Sequence, residues 1–280
     1  MLSYRHSFHA GNFADVLKHL ILAECLEYLK RKDKPFAYYD THAGPGRYVL
    51  DSGFAQKNKE YETGIGCLWE REDLPECLRR YRELVRAFNP DSTLRHYPGS
   101  PAIAQAVLRP ADRLRLCELH PADHALLAEE FGCDRRVGVE KADGFERVLK
   151  QLPPSERRGL ILIDPPYELK EDYQRVLSFL ETAHRKFAQG LYLLWYPVVE
   201  RARIEQLQQS LAQSGIRNIQ CYELGIRPDT EGRGMTSSGM IVINPPWTLM
   251  ETMAPALPYL SELLGSNGDG TCYSRQLVPE

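Results

Sequence analysis

Gly159-Leu160-Ile161-Leu162-Ile163-Asp164-Pro165-Pro166-Tyr167 sets an unbroken apolar run ahead of an acid, two prolines and an aromatic ring. An apolar run without alternation describes a strand buried on both faces, as in a parallel sheet with helices on either side. Runs of the same kind recur on either side of it. Phe36–Tyr39 precedes Asp40, Leu114–Cys117 precedes Glu118, and Leu191–Trp195 precedes Tyr196. Helical spacing fills most of the intervals, over Ala102–Leu108, Ala122–Phe131, Tyr173–Phe187 and Ile204–Ala212. A first helix is predicted from Ala14 to Lys32, with Asn12 as its cap and Lys30, Arg31 and Lys32 at the negative end of its dipole. Alternating strand and helix implies a doubly wound α/β sheet. Only a Gly/Arg/Ser loop separates Asn218–Leu224 from Met240–Ile243, too little for a crossover helix, so these two should pair as an antiparallel hairpin at the sheet edge. The expected sheet has seven strands, six parallel and one antiparallel.

One interval breaks the rhythm. The glycine turn His42-Ala43-Gly44-Pro45-Gly46 should lead directly into a helix and then the second strand, yet Glu118 stands 72 positions after Gly46. The excess reads as a small, mostly helical insertion over 48–97, dividing a main domain of 1–47 and 98–280. A helix near Glu76–Phe88 would carry Arg79, Arg80, Arg82 and Arg86. The main domain resumes at Pro98-Gly99-Ser100-Pro101, with proline just inside a helix start.

Composition adds bounds. A net charge of −3 gives no basic excess, so an RNA partner would require basic residues gathered on one face. Seven cysteines with no Cys-x-x-Cys pair point to reduced thiols and a cytoplasmic setting rather than a disulfide framework. No stretch reaches the roughly 20 apolar residues that span a bilayer, and the first twelve residues hold no apolar run, so neither a membrane span nor a signal peptide is expected.

Ligands of open α/β sheets bind outside the carboxyl ends of the strands, where Asp164 falls. The exocyclic amine of a nucleobase is a poor nucleophile because its lone pair is delocalised into the ring. A carboxylate and a neighbouring carbonyl accepting its two N–H groups would favour a pyramidal nitrogen, with the lone pair aimed at a methyl donor. The prolines fix φ and hold that carbonyl still, and Tyr167 offers a face for an extruded base. Asp-Pro-Pro also serves as an ordinary turn; its place on the fourth strand favours the chemical reading. Asp40 to Gly46 lets backbone approach a nucleotide-like cofactor, although the third glycine of a dinucleotide fingerprint is missing. Glu118 is placed for ribose hydroxyls and Asp143-Gly144 for the amine of a cofactor adenine. Each acid alone is an ordinary loop residue; the ordered set of four at strand ends carries the reading.

Glu118, His120 and His124 have metal-ligand spacing, but His120 precedes Pro121 at a helix start, and no metal is expected. Tyr4, His6, His9, Lys18 and His19 crowd the N-terminus, where composition alone favours a solvated lead-in to a helix. Asn244-Pro245-Pro246-Trp247 matches the amine-binding pattern with Asn for Asp. It follows a strand expected to run antiparallel, so it is read as a structural exit.

Leu2 to Asn12, Ala14-Asp15-Val16-Leu17-Lys18-His19, Asp40-Thr41-His42-Ala43-Gly44 and Asp164-Pro165-Pro166-Tyr167 together resemble the bacterial 23S ribosomal RNA adenine-N6 methyltransferases that modify adenine 2030. The resemblance runs from end to end and includes the insertion. It implies a Rossmann-like class I methyltransferase fold, S-adenosylmethionine as methyl donor, 23S ribosomal RNA as substrate and Asp164 as the catalytic residue. It also implies cofactor contacts at His19, His42, Ser100, Glu118, Asp143, Gly144 and Asp164. Tyr4 takes a substrate-facing role, with Lys18 and His6 aiding RNA or cofactor binding, which overturns the bland reading of the N-terminus. Tyr4 and Lys18 would then act on the RNA, by stacking and by phosphate contact, more than on stability.

Overall fold

A computed structural model describes residues 8–51, 55–169, 171–229 and 234–280. Helix α1 (Phe13–Lys30) opens the fold. Asn12 Oδ1 caps it by accepting from the amides of Ala14 and Asp15. Strand β1 (Ala37–Asp40) follows, and β2 (Arg47–Val49) leaves the glycine turn. Then come α2 (Ala55–Asn58), α3 (Ile65–Trp69), α4 (Glu76–Arg86) and β3 (His96–Pro98), which pairs antiparallel with β2. The alternating units are α5 (Ser100–Val107), β4 (Arg113–Cys117), α6 (Pro121–Phe131), β5 (Val137–Glu140), α7 (Gly144–Gln151), β6 (Gly159–Ile163), α8 (Glu171–Lys186), β7 (Leu191–Val198) and α9 (Arg201–Gln213). The chain closes with β8 (Ile219–Gly225), β9 (Ser237–Ile243), α10 (Leu249–Leu264) and β10 (Thr271–Val278).

The main sheet has the order β10-β8-β9-β7-β6-β1-β4-β5. β5, β4, β1, β6 and β7 are mutually parallel. β9 runs antiparallel between β7 and β8, which restores β8 to the common direction. The seven expected strands are therefore present, in the arrangement of the class I methyltransferase sheet. An eighth, β10, pairs antiparallel along β8. The hairpin is thus not the edge: β9 is internal and β10 covers the outer side of β8. β10 escaped the sequence reading because most of its side chains are exposed or half-buried, so it offers no apolar run. Helices α7 and α10 were missed as well; α10 contains Pro255 and Pro258, which argue against a helix when read locally.

Alternation along the strands divides the core between the two faces. Leu114, Leu116, Leu160, Leu162, Leu191 and Leu193 pack with α1, α5 and α10, while Ile161, Ile163, Tyr192 and Leu194 pack with α8 and α9. The residues between β2 and β3 share the first of these layers, through Ile65, Leu68, Leu78, Tyr81 and Val85. The arginines of α4 are engaged locally: Arg79 with Glu76, Arg80 with Glu24, Arg82 with Glu83 and Arg86 with the Trp69 carbonyl. They therefore form no free basic stripe. No helix among the described residues is long and apolar enough to cross a membrane.

Candidate active site

Because β5, β4, β1, β6 and β7 are parallel, their carboxyl ends form one rim, and a cleft of about 280 Å³ opens along it. Two glycines allow close packing around it. Gly46 has φ +81°, and a Cβ there would lie 2.3 Å from the Phe131 ring. A Cβ on Gly144 would lie 1.9 Å from the Thr41 carbonyl, so only glycine lets the start of α7 sit against the end of β1.

The four strand-end acids divide by role. Asp40 is fully buried and does not line the cleft. It accepts the hydroxyls of Tyr38 and Ser100, each at 2.6 Å, and the His42 amide at 3.2 Å. Burial pushes its pKa up to about 6 in spite of those donors. With the Ser100 proton directed at Asp40, the Ser100 oxygen presents only lone pairs to the cleft it lines. Glu118 accepts the Gly44 amide at 2.8 Å and the His120 amide at 2.7 Å, fixing its carboxylate on the glycine turn. Burial raises its pKa above the ordinary glutamate value. Asp143 caps α7 through the Glu146 amide and meets Arg175 at 2.7 Å. Burial opposes its charge, but that amide and the guanidinium outweigh it and hold the carboxyl low.

His42 stands edge-on to Phe145, 5.1 Å between ring centroids, with Nδ1 2.7 Å from the Thr41 hydroxyl. Burial lowers its pKa to about 4, so it is neutral at pH 7. His19 meets the Tyr97 hydroxyl at 2.7 Å, and Tyr97 meets Tyr81 at 2.8 Å, which ties α1 to the β2–β3 excursion.

Lys18 lines the cleft, but not as the exposed phosphate contact expected of it. It is 3% exposed rather than turned toward solvent phosphates. Its ammonium lies 2.9 Å from Asp15 and 2.6 Å from Asp164. Burial disfavours its charge, but the two carboxylates prevail and raise its pKa, so it stays protonated. The buried position also removes the expectation that Lys18 is dispensable for stability. Asp15, fully buried, accepts the Gly11 amide at 2.9 Å and so links the segment before α1 to the Asp164 end of the cleft.

Asp164, Pro165 and Pro166 line the cleft, and so do His19, His42, Glu118, Asp143 and Gly144. Tyr167, expected to offer a face to the base, does not line the cleft: at φ +51° it turns back into the core, donating to the Trp195 carbonyl at 2.7 Å and packing 4.6 Å from Tyr173. Tyr4 and His6 lie outside the described residues. Residues missed by the sequence reading include Asp15, Phe145, Arg175 and Trp195. Trp195 carried a signal, since it closes an apolar run on a parallel strand; Asp15 carried one in its i, i+3 spacing to Lys18. Among the described residues no three metal-ligating side chains converge; His120 caps α6 instead.

The elongated cleft suits a nucleoside with an amino-acid tail. Glu118 offers acceptors for ribose hydroxyls, Phe145 and His42 flank the Asp143 end, and the Ser100 lone pairs suit an ammonium. Comparison with known proteins agrees. The profile of the family described as "Ribosomal RNA large subunit methyltransferase D, RlmJ" matches residues 33–276. Proteins named "Ribosomal RNA large subunit methyltransferase J" from Escherichia coli K12 and Haemophilus influenzae are 54% and 50% identical, over the full length of both chains. The crystal structure of protein LPL1258 from Legionella pneumophila superposes with a TM-score of 0.89 at 39% identity, covering 96% of this chain and 98% of that one.

Proposed function

The chain belongs to the RlmJ family of ribosomal RNA large subunit methyltransferases, and on that premise we infer that it methylates the N6 amine of an adenine in 23S ribosomal RNA, at position 2030. The observation that carries the reading is Asp164 at the end of β6, in a cleft whose other end is walled by Glu118 and Asp143. Bound S-adenosylmethionine supplies a methyl group on a sulfonium, which leaves with its bonding pair retained by sulfur. Glu118 holds the ribose hydroxyls, Asp143 and Phe145 the adenine, and Ser100 with His19 the amino-acid tail.

Asp164 and the Pro165 carbonyl accept the two N6–H groups of the extruded base, which turns the lone pair toward the methyl. As the N–C bond forms and the S–C bond breaks, N6 becomes cationic and then gives one proton, through the Asp164 carboxylate that accepts its N–H, to solvent. Lys18 shares its single charge between Asp15 and Asp164, so this group of three carries a net negative charge beside the developing cation. Tyr4 and His6 take substrate-facing roles, and Tyr167 braces the motif through the Trp195 carbonyl. The enzyme works in the cytoplasm without a metal; its free cysteines suit a reducing compartment.

Incubation with protein-free 23S rRNA and methyl-labelled S-adenosylmethionine, followed by nuclease digestion and mass mapping, tests this. One N6-methyladenosine at 2030 is expected. Label in N2-methylguanosine or N4-methylcytidine, or none at all, overturns it.

A further inference from the structure

Order along the rim separates the two ends of the cleft. Asp143 follows β5, Glu118 follows β4, the glycine turn follows β1 and Asp164 follows β6. The acids suited to a nucleoside cofactor all lie on one side of Asp164. On the other side stands β7, in register such that Ile163 pairs with Leu194. The next residues, Asp164 and Trp195, are therefore neighbours across the ladder, and both line the cleft.

Trp195 is half-buried in a strand whose other side chains are all buried. Its indole N–H donates to the Ser238 hydroxyl at 2.7 Å, and Ser238 is fully buried on β9. The Lys18 ammonium lies 5.6 Å from its ring centroid. Its carbonyl anchors the Tyr167 hydroxyl, which ties it to the motif that carries Asp164. An indole whose single polar atom is occupied inward presents only carbon surface to the cleft, and that surface suits a purine ring rather than a ribose or a phosphate.

We propose that Trp195 is the wall against which the target base packs beyond Asp164, and that Ser238 is the positioning residue that fixes its indole. The proposal rests on the reading of the cleft as the site of adenine methylation. It places one further aromatic contact on the substrate side, adjacent to the reacting amine and separate from the cofactor side.

The test measures kcat and KM for a 23S rRNA transcript, with S-adenosylhomocysteine affinity by calorimetry, in Trp195→Ala, Trp195→Phe and Ser238→Ala. Loss of one stacking contact should lower kcat/KM by roughly 5- to 150-fold, chiefly through KM. Trp195→Phe should recover most of the loss, and Ser238→Ala should give a smaller rise in KM. S-adenosylhomocysteine affinity should stay within about twofold throughout. Should Trp195→Ala fold poorly, Trp195→Leu, which keeps apolar bulk without an aromatic face, takes its place with the same expected loss. The proposal fails if kcat/KM in the folded variants stays within twofold of wild type, or if cofactor affinity falls in step with RNA activity. Either result, with a wild-type enzyme that methylates the transcript, leaves the assigned function standing. A wild type that transfers no methyl to RNA defeats the function itself.

Discussion

Asp164-Pro165-Pro166-Tyr167 and Asn244-Pro245-Pro246-Trp247 are near copies in sequence with opposite fates. Both follow a buried strand, and both place a non-glycine residue in the left-handed region, Tyr167 at φ +51° and Asn244 at φ +55°. β6 is parallel to its neighbours, so its exit falls on the rim with the glycine turn, Glu118 and Asp143. β9 is antiparallel to β7, with Ile243 opposite Tyr192, so its exit falls at the other edge, beside the start of β7. There the Asn244 side chain donates to the carbonyls of Ala188 and Gly190 at 2.8 and 2.7 Å. Trp247 is 75% exposed and lines no part of the cleft. The tetrapeptide supplies donors, acceptors and a stiff backbone; strand direction decides whether anything reactive comes within reach.

The expected effects follow from this contrast. The largest comes from Lys18→Ala, which leaves fully buried Asp15 without its cation. Uncompensated buried charge of that kind costs about 3–5 kcal/mol, read as a fall in the urea midpoint together with lost methylation. A variant that unfolds like wild type would mean the ion pair carries little stability. Asp164→Ala should raise the barrier to methyl transfer by about 3 kcal/mol or more while S-adenosylhomocysteine still binds, as single-turnover kinetics and calorimetry would show. Wild-type kcat there would move the chemistry elsewhere. Glu118→Ala should weaken cofactor binding by about 1–3 kcal/mol, since it removes ribose acceptors and strands the amides of Gly44 and His120; unchanged affinity would remove Glu118 from the cofactor. Asn244→Ala has the smallest effect: about 1 kcal/mol of stability for its hydrogen bonds, with kcat untouched. A loss of turnover comparable to that of Asp164→Ala would erase the distinction between the two motifs.

How much of this was legible in the sequence depended on whether a signal was local. Buried parallel strands announce themselves as apolar runs, so β1, β4, β6 and β7 were readable, and strand-end acids gave the rim. β10 was hidden because its side chains are largely exposed or half-buried, and α10 because of its prolines. Asp40 had the sequence position of a cofactor ligand but lies beneath the cleft, holding Ser100. Lys18 looked like a surface base beside His19; its i, i+3 spacing to Asp15 is local, but its pairing with Asp164, far away in the chain, appears only in the folded structure. Trp195 was counted as the end of a core run, and its neighbour across the ladder could not be known before the register.

The central claim is that one rim, set by strand direction, holds both cofactor and chemistry. Hydrogen–deuterium exchange with and without S-adenosylhomocysteine tests it most directly. Protection should appear in peptides covering 40–46, 118–120, 143–145 and 164–169, with none in 244–252. Protection over 244–252, with 118–120 and 143–145 unchanged, would contradict it.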